Sequence, residues 1–123
     1  MAELARRLAL AEGSGAATVA EVHTGDSASF DFRALLQAHG REQAQLLVLH
    51  PPYFDIIRFS DDRRDLSNSA DEAAFLCAFE RVVANATQLL KPTGCLALVI
   101  GDAYRKGEWR PLGFECMQLC RKA

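Results

Sequence analysis

Two apolar runs without polar alternation, "QLLVLH" at 45–50 and "CLALVIGD" at 95–102, flank one long amphipathic stretch, and this arrangement leaves few folds open. A short, uninterrupted apolar run suits a strand covered on both faces, as in parallel sheets. Parallel neighbours need a crossover connection, usually a helix. The intervening "SADEAAFLCAFERVVANATQLLK" at 69–91 supplies one. Phe75, Leu76, Phe79, Val82, Val83, Ala86, Leu89 and Leu90 recur at three- and four-residue spacing and so share a face. Ser69 is the expected N-cap, with Asp71 and Glu72 at the positive end of the helix dipole. Lys91 suits the negative end, and "KPTG" closes the helix.

The flanking segments extend the alternation. Val19 and Val22 in "TVAEVHTGD" favour a short strand, with Gly25-Asp26 as its turn. "SASFDFRALLQAHG" predicts a helix with Asp31 as N-cap, Leu35 and Leu36 on its apolar face and Gly40 as its stop. "RFSDDRRDLSNS" and "AYRKGEWRP" read as loops, and "LGFECMQLCRKA" begins a last helix. Strand and helix alternate three times, so the expected class is α/β, a mostly parallel sheet with helices on both faces. Residues 1–18 read as an N-terminal arm, because Gly13 and Gly15 oppose helix there; the domain proper spans 19–123.

Composition excludes some functions. The chain has 123 residues, enough for one domain. No apolar run approaches the roughly 20 residues needed to span a bilayer, and the first 22 residues lack a signal peptide's apolar core. A cytoplasmic protein with no membrane partner is expected. The four cysteines form no C-x-x-C pair, and Cys116 and Cys120 sit at helical spacing with no histidine near them; all four are expected to be reduced and no metal site is expected. A net charge of −2 argues mildly against a stand-alone nucleic-acid binder.

In open parallel sheets, ligands bind beyond the carboxyl ends of the strands. Three such ends are expected on one edge: "HTGD" at 23–26, "HPPYFD" at 50–55 and "GDAY" at 101–104. His50-Pro51-Pro52-Tyr53 is the most constrained. Two prolines fix φ and stiffen the turn, and Tyr53 offers a flat face and a hydroxyl. The tetrapeptide alone reads either as a stiff strand stop or as a platform for a planar amine.

The stretch resembles the catalytic motif of the S-adenosylmethionine-dependent amino DNA methyltransferases: Asp, Asn or Ser, then Pro-Pro and an aromatic, at the end of a central strand. "VHTGDS" is similar to the strand and turn preceding that motif in circularly ordered members. "LLKPTGCLALVIGD" is similar to the family's "LLKPGG-strand-GD" segment, and "DIIRFSDDRRDLSN" and "GEWRPLGFECM" to features of one sub-branch. The resemblance covers about residues 19–120. It implies a partial Rossmann-like methyltransferase fold and methyl transfer to the exocyclic amine of adenine or cytosine in a flipped base. It places His50 and Pro51 as acceptors for the amino group, with Pro52 completing the turn and Tyr53 stacking on the base. Asp26 and Ser27 would lie at the cofactor, and Asp55, Asp102 and Tyr104 at the base.

Two departures accompany it. His50 replaces the usual Asp, Asn or Ser, and no Phe-x-Gly-x-Gly turn follows an apolar strand, "AEGSGAAT" at 11–18 being a faint echo. The expectation is therefore a truncated methyltransferase half that self-associates, most simply as a homodimer, or that meets a complementary half. The competing expectation is an inactive α/β module that oligomerises or binds a partner; transfer to RNA or a protein amide ranks third. Arg58, Arg63 and Arg64 read as a solvated mixed-charge loop or as phosphate contacts. "YRKGEWR" reads as a nucleic-acid stacking loop, or as a surface loop clamped by Trp109 and Pro111.

Overall fold

The computed structural model describes residues 20–123. The expected arm, Val19 and the "AEGSGAAT" glycines lie outside the described residues. Among these, helix α1 (Phe32–Ala38) leads to strand β1 (Ala44–Leu49), helix α2 (Glu72–Thr87), strand β2 (Leu90–Leu98), a hairpin of β3 (Ala103–Arg105) and β4 (Glu108–Arg110), and helix α3 (Leu112–Lys122). Single turns of 3₁₀ helix at Phe54–Ile56 and Leu66–Asn68 punctuate the β1–α2 connection.

The centre is the expected βαβ unit. β1 and β2 pair in parallel, with Leu46, Leu47, Val48 and Leu49 opposite Cys95, Leu96, Ala97 and Leu98. The protein is α/β, with a parallel sheet of two strands among the described residues and the antiparallel hairpin beside it. α2 makes the crossover and buries Phe75, Phe79, Val82, Val83 and Ala86. The Phe75 and Phe79 rings stack at 6.3 Å, and Phe54 meets Phe75 edge-on at 5.8 Å. Leu112 and Cys116 of α3 complete this cluster, against which Leu49, Leu98 and Ile100 pack.

Paired residues in a parallel ladder point to the same side, so Leu47, Leu49, Leu96 and Leu98 face α2 and α3. The opposite side is bare among the described residues: Leu46 is 58% exposed, Val48 56%, and Val99 is also exposed. Among the described residues, helices cover one face of this sheet. An apolar run records what a face can bury, not whether a cover is present.

Four local expectations also change. Residues 20–24 form no strand and Val22 is exposed, because the chain turns at once: the Ser29 and Phe30 amides both donate to Asp26 O, at 3.0 and 2.7 Å. The cap of α2 is Asp71, whose side chain accepts from the Ala74 amide at 2.8 Å, while the Ser69 hydroxyl donates to Leu66 O. α2 stops at Thr87 rather than Lys91, because the Ala44 amide takes Leu89 O at 2.7 Å and draws Leu90 and Lys91 into β2. The ladder then shifts register between Ala44 and Leu46, opposite the stretch holding Pro92; proline has no N–H for a ladder. Finally, "AYRKGEWRP" is a hairpin. Lys106 (φ +52°) and Gly107 (φ +83°) both take the left-handed conformation that a two-residue hairpin turn requires. α1 meets expectation: Asp31 accepts from the Ala34 amide at 2.8 Å, and Gly40 follows with φ +66°.

Candidate active site

The Val99 amide bonds to Leu49 O at 2.8 Å, which carries the ladder to the last residue of β1. His50-Pro51-Pro52-Tyr53 therefore leaves the sheet at its carboxyl edge from a fixed point. Pro51 is buried and His50 exposed. The next residue, Phe54, has φ +53°, a conformation that costs a non-glycine residue of order 1–2 kcal/mol. Its buried ring against Phe75 holds it there. The strain is thus set by the core and sets the course of the chain leaving Tyr53.

The Tyr53 hydroxyl lies 3.4 Å from His50 Nε2, with the rings 5.9 Å apart and tilted by 53°. For His50 to accept from a substrate amine, Nδ1 must be bare and Nε2–H must donate to the tyrosine oxygen. The Tyr53 ring also lies against Gly101, just past the end of β2. A Cβ at Gly101 would lie 3.2 Å from Tyr53 Cε2, so a larger residue there would press the ring aside by a few tenths of an ångström. Gly113 plays a matching part: its amide donates to Asp102 Oδ1 at 2.9 Å, and a Cβ there would stand 3.1 Å from that oxygen.

The turn opens on a cavity of about 540 Å³ lined by His50, Pro51, Pro52, Tyr53, Ile56, Ile57, Phe59 and Asp65. Its wall is mostly apolar, with polar atoms at His50, Tyr53 and Asp65, a composition suited to a flat ring with a polar edge. Asp65 is locked in place: Oδ1 accepts from the Ser67 amide and hydroxyl at 2.9 and 2.8 Å, and Oδ2 from the Ser60 hydroxyl at 2.7 Å. Burial pushes its carboxyl up, but these three hydrogen bonds prevail and hold it below the usual carboxylate range. Arg64 pairs with Asp62 at 2.6 Å, and its hydrogen bond draws the Asp62 carboxyl down to about 2. Arg58 pairs with Asp61 at 2.9 Å, and Asn68 Nδ2 donates to Ser60 O and Asp62 O.

Of the expected site residues, His50, Pro51, Pro52 and Tyr53 converge on the cavity, while Gly101 touches the Tyr53 ring without lining it. Asp55 lies in the 3₁₀ turn that follows. Asp102 sits beside Gly101 but spends Oδ1 on the start of α3. Tyr104 stands out on β3, 74% exposed. The "HTGD" segment is not a strand end: Asp26 Oδ1 accepts from the Ala28 amide at 3.0 Å, and Ser27 O accepts from Asn85 Nδ2 of α2 at 3.0 Å. Sequence reasoning missed Ile56, Ile57, Phe59 and Asp65 as cavity wall. Their signal was the exposed apolar trio inside an otherwise polar loop.

Comparison with known proteins gives no match: no family model fits the chain, and no curated protein or solved structure matches it. Among the described residues no group of three or more metal-ligating side chains converges, and no helix is long and apolar enough to cross a membrane.

Proposed function

We propose that this chain carries the amine-holding part of a Rossmann-like, S-adenosylmethionine-dependent methyltransferase acting on the exocyclic amino group of adenine or cytosine in DNA. One observation supports this reading above others. The Pro-Pro-Tyr turn leaves the carboxyl end of a parallel strand, packs its tyrosine on the glycine at the neighbouring strand's end, and opens on an apolar cavity. An extruded base would lie against Tyr53, between Ile56, Ile57 and Phe59. Its amino group would donate to His50 Nδ1 and to a proline carbonyl. Accepting both protons' hydrogen bonds keeps the nitrogen lone pair directed at the methyl donor, which is what nucleophilic attack requires.

Residues 20–123 do not fit the cofactor equally well. No glycine-rich turn follows an apolar strand among them, and the Asp26 carboxylate is already turned onto Ala28 N. A complementary chain segment or partner would have to supply the cradle. The bare sheet face favours a second reading, an inactive α/β module that associates through that face. Calorimetric titration with S-adenosylmethionine, followed by labelled methyl transfer to a DNA oligonucleotide, separates the two. Transfer that is lost in Tyr53→Ala while the fold persists supports the enzyme. No heat up to millimolar cofactor and no transfer, even with candidate complementary halves, leaves the module.

A further inference from the structure

We infer that His50 is a proton-controlled selector in the cavity wall: neutral, it accepts from the exocyclic amine of a base; protonated, it turns that amine away. The inference rests on the proposed amine-holding role of the turn and concerns capture of the base, not the methyl donor.

The polar side chains that line the cavity are His50, Tyr53 and Asp65. Carboxylates and phenols ordinarily keep their charge between pH 5 and 8, whereas histidine changes its own there. Asp65 is ionised throughout that window, because its hydrogen bonds from Ser60 and Ser67 outweigh the upward push of burial. His50 is therefore the one lining group whose charge changes near neutrality, and it is also the group that must accept the amine proton. It is exposed, so protons reach it from bulk water. An Asp, Asn or Ser at this position would remain an acceptor over the whole window; a histidine makes acceptance conditional.

The contact with Tyr53 confines the change to one atom. His50 Nε2 lies 3.4 Å from the Tyr53 hydroxyl, whose oxygen can accept from Nε2–H in the neutral ring and in the imidazolium alike. The ring can thus keep its place on protonation while Nδ1 changes its role. Bare, Nδ1 accepts an amino hydrogen. Protonated, it sets an N–H against an N–H, and both donors lose their partner. Thymine carries a carbonyl where cytosine carries its amine, so it gains a partner when Nδ1 is protonated. The neighbouring charges are already engaged. Arg58 and Arg64 pair with Asp61 and Asp62, and Asp102 Oδ1 accepts from the Gly113 amide. The other two histidines of the chain, His23 and His39, both meet Glu21 instead, at 2.8 and 3.2 Å.

Proton NMR of the full chain, without cofactor, follows the Cε1–H resonances of its three histidines from about pH 8 down to about pH 5. His50→Asn assigns the His50 signal by its loss. The probes are deoxycytidine, deoxyadenosine and thymidine at saturating concentration. If the amine binds neutral His50 about tenfold better than the protonated form, linkage lowers the His50 midpoint by about one pH unit in deoxycytidine and in deoxyadenosine. Thymidine should not lower it, and the His23 and His39 signals should stay in place. His50→Asn retains an amide oxygen as acceptor, so its affinity for deoxycytidine should stay constant to within about twofold over the range in which the parent loses about tenfold. The replaced side chain is exposed, so the variant keeps the fold, which unchanged His23 and His39 signals check. Amine-bearing nucleosides that bind without moving the His50 midpoint, or thymidine that lowers it equally, overturn the selector and leave the amine-holding reading standing. Nucleosides that shift neither the His50 nor the Tyr53 resonances at any pH overturn both.

Discussion

Phe54 ties the core to the candidate site, and its backbone makes the tie testable. A buried phenylalanine cut to alanine costs about 3–5 kcal/mol. Glycine ordinarily costs 0.5–1 kcal/mol more than alanine in regular structure, about the scale of its extra chain entropy. At φ +53° that order should reverse, because alanine keeps the left-handed penalty and glycine does not. Urea unfolding should therefore show Phe54→Gly at least as stable as Phe54→Ala; a glycine variant weaker by the ordinary margin would mean that the backbone there is unstrained. Cys116 gives a second residue-scale outcome. Burial, aided by Cys120 and Glu115, pushes its thiol up from 9.0 to about 12. The folded chain then keeps a proton that the unfolded chain loses above pH 9. Its contribution is complete below pH 9 and falls away as the pH rises from 9 to 12. Tyrosines and lysines titrate in the same window, so the readout is a difference: Cys116→Ala should lose less stability between pH 9 and 12 than the parent chain. Parallel losses in the two proteins would place the thiol in contact with water.

At the scale of elements, capping shows where local chemistry decided a boundary. Both Ser69 and Asp71 are good N-cap residue types, and the sequence points to Ser69. The structure uses Asp71 because Ser69 already serves the preceding 3₁₀ turn through Leu66 O. Asp71→Ala should cost about 1 kcal/mol in thermal or urea unfolding. Ser69→Ala should cost less than that, and the reverse ranking would put the helix start two residues earlier. β1 and β2 were legible as unbroken apolar runs, and α2 because its burial is written as periodicity. Phe75, Phe79, Val82, Val83 and Ala86 keep helical spacing whatever surrounds them. The hairpin was not legible, because Lys106 holds a positive φ that its side chain does not advertise. The end of α2 was not legible either: Leu90 and Lys91 fit a helix, and only the bond from Ala44 N to Leu89 O, far away in sequence, assigns them to β2. At the site, the Pro-Pro-Tyr turn announced itself through proline. Asp65 did not, since its importance comes from three hydrogen bonds that close a loop.

For the whole molecule the controlling fact is that one side of the β1–β2 sheet has no cover among the described residues. Leu46, Val48 and Val99 form an apolar strip flanked by Ala97, and among the described residues no further strand pairs with either sheet edge. Such strips are uncommon on isolated soluble monomers and usually meet another surface. A second copy is the simplest occupant, because a twofold axis lets the same strip serve both partners and closes the assembly at two. Packing face to face would remove Leu46 and Val48 of each copy from water. Each side chain contributes about 1.5–3 kcal/mol when fully buried. The double variant Leu46→Lys, Val48→Lys replaces both with solvated charges at positions whose other side is sheet, not core, so the fold should survive. It should weaken self-association by at least about a hundredfold, corresponding to the loss of roughly 3 kcal/mol. Sedimentation equilibrium across a concentration series reads this directly. A parent chain that dissociates on dilution beside a variant that is monomeric throughout locates the interface on this face. A parent that is monomeric at the highest concentration reached, and indistinguishable from the variant, removes self-pairing as the reason for the strip.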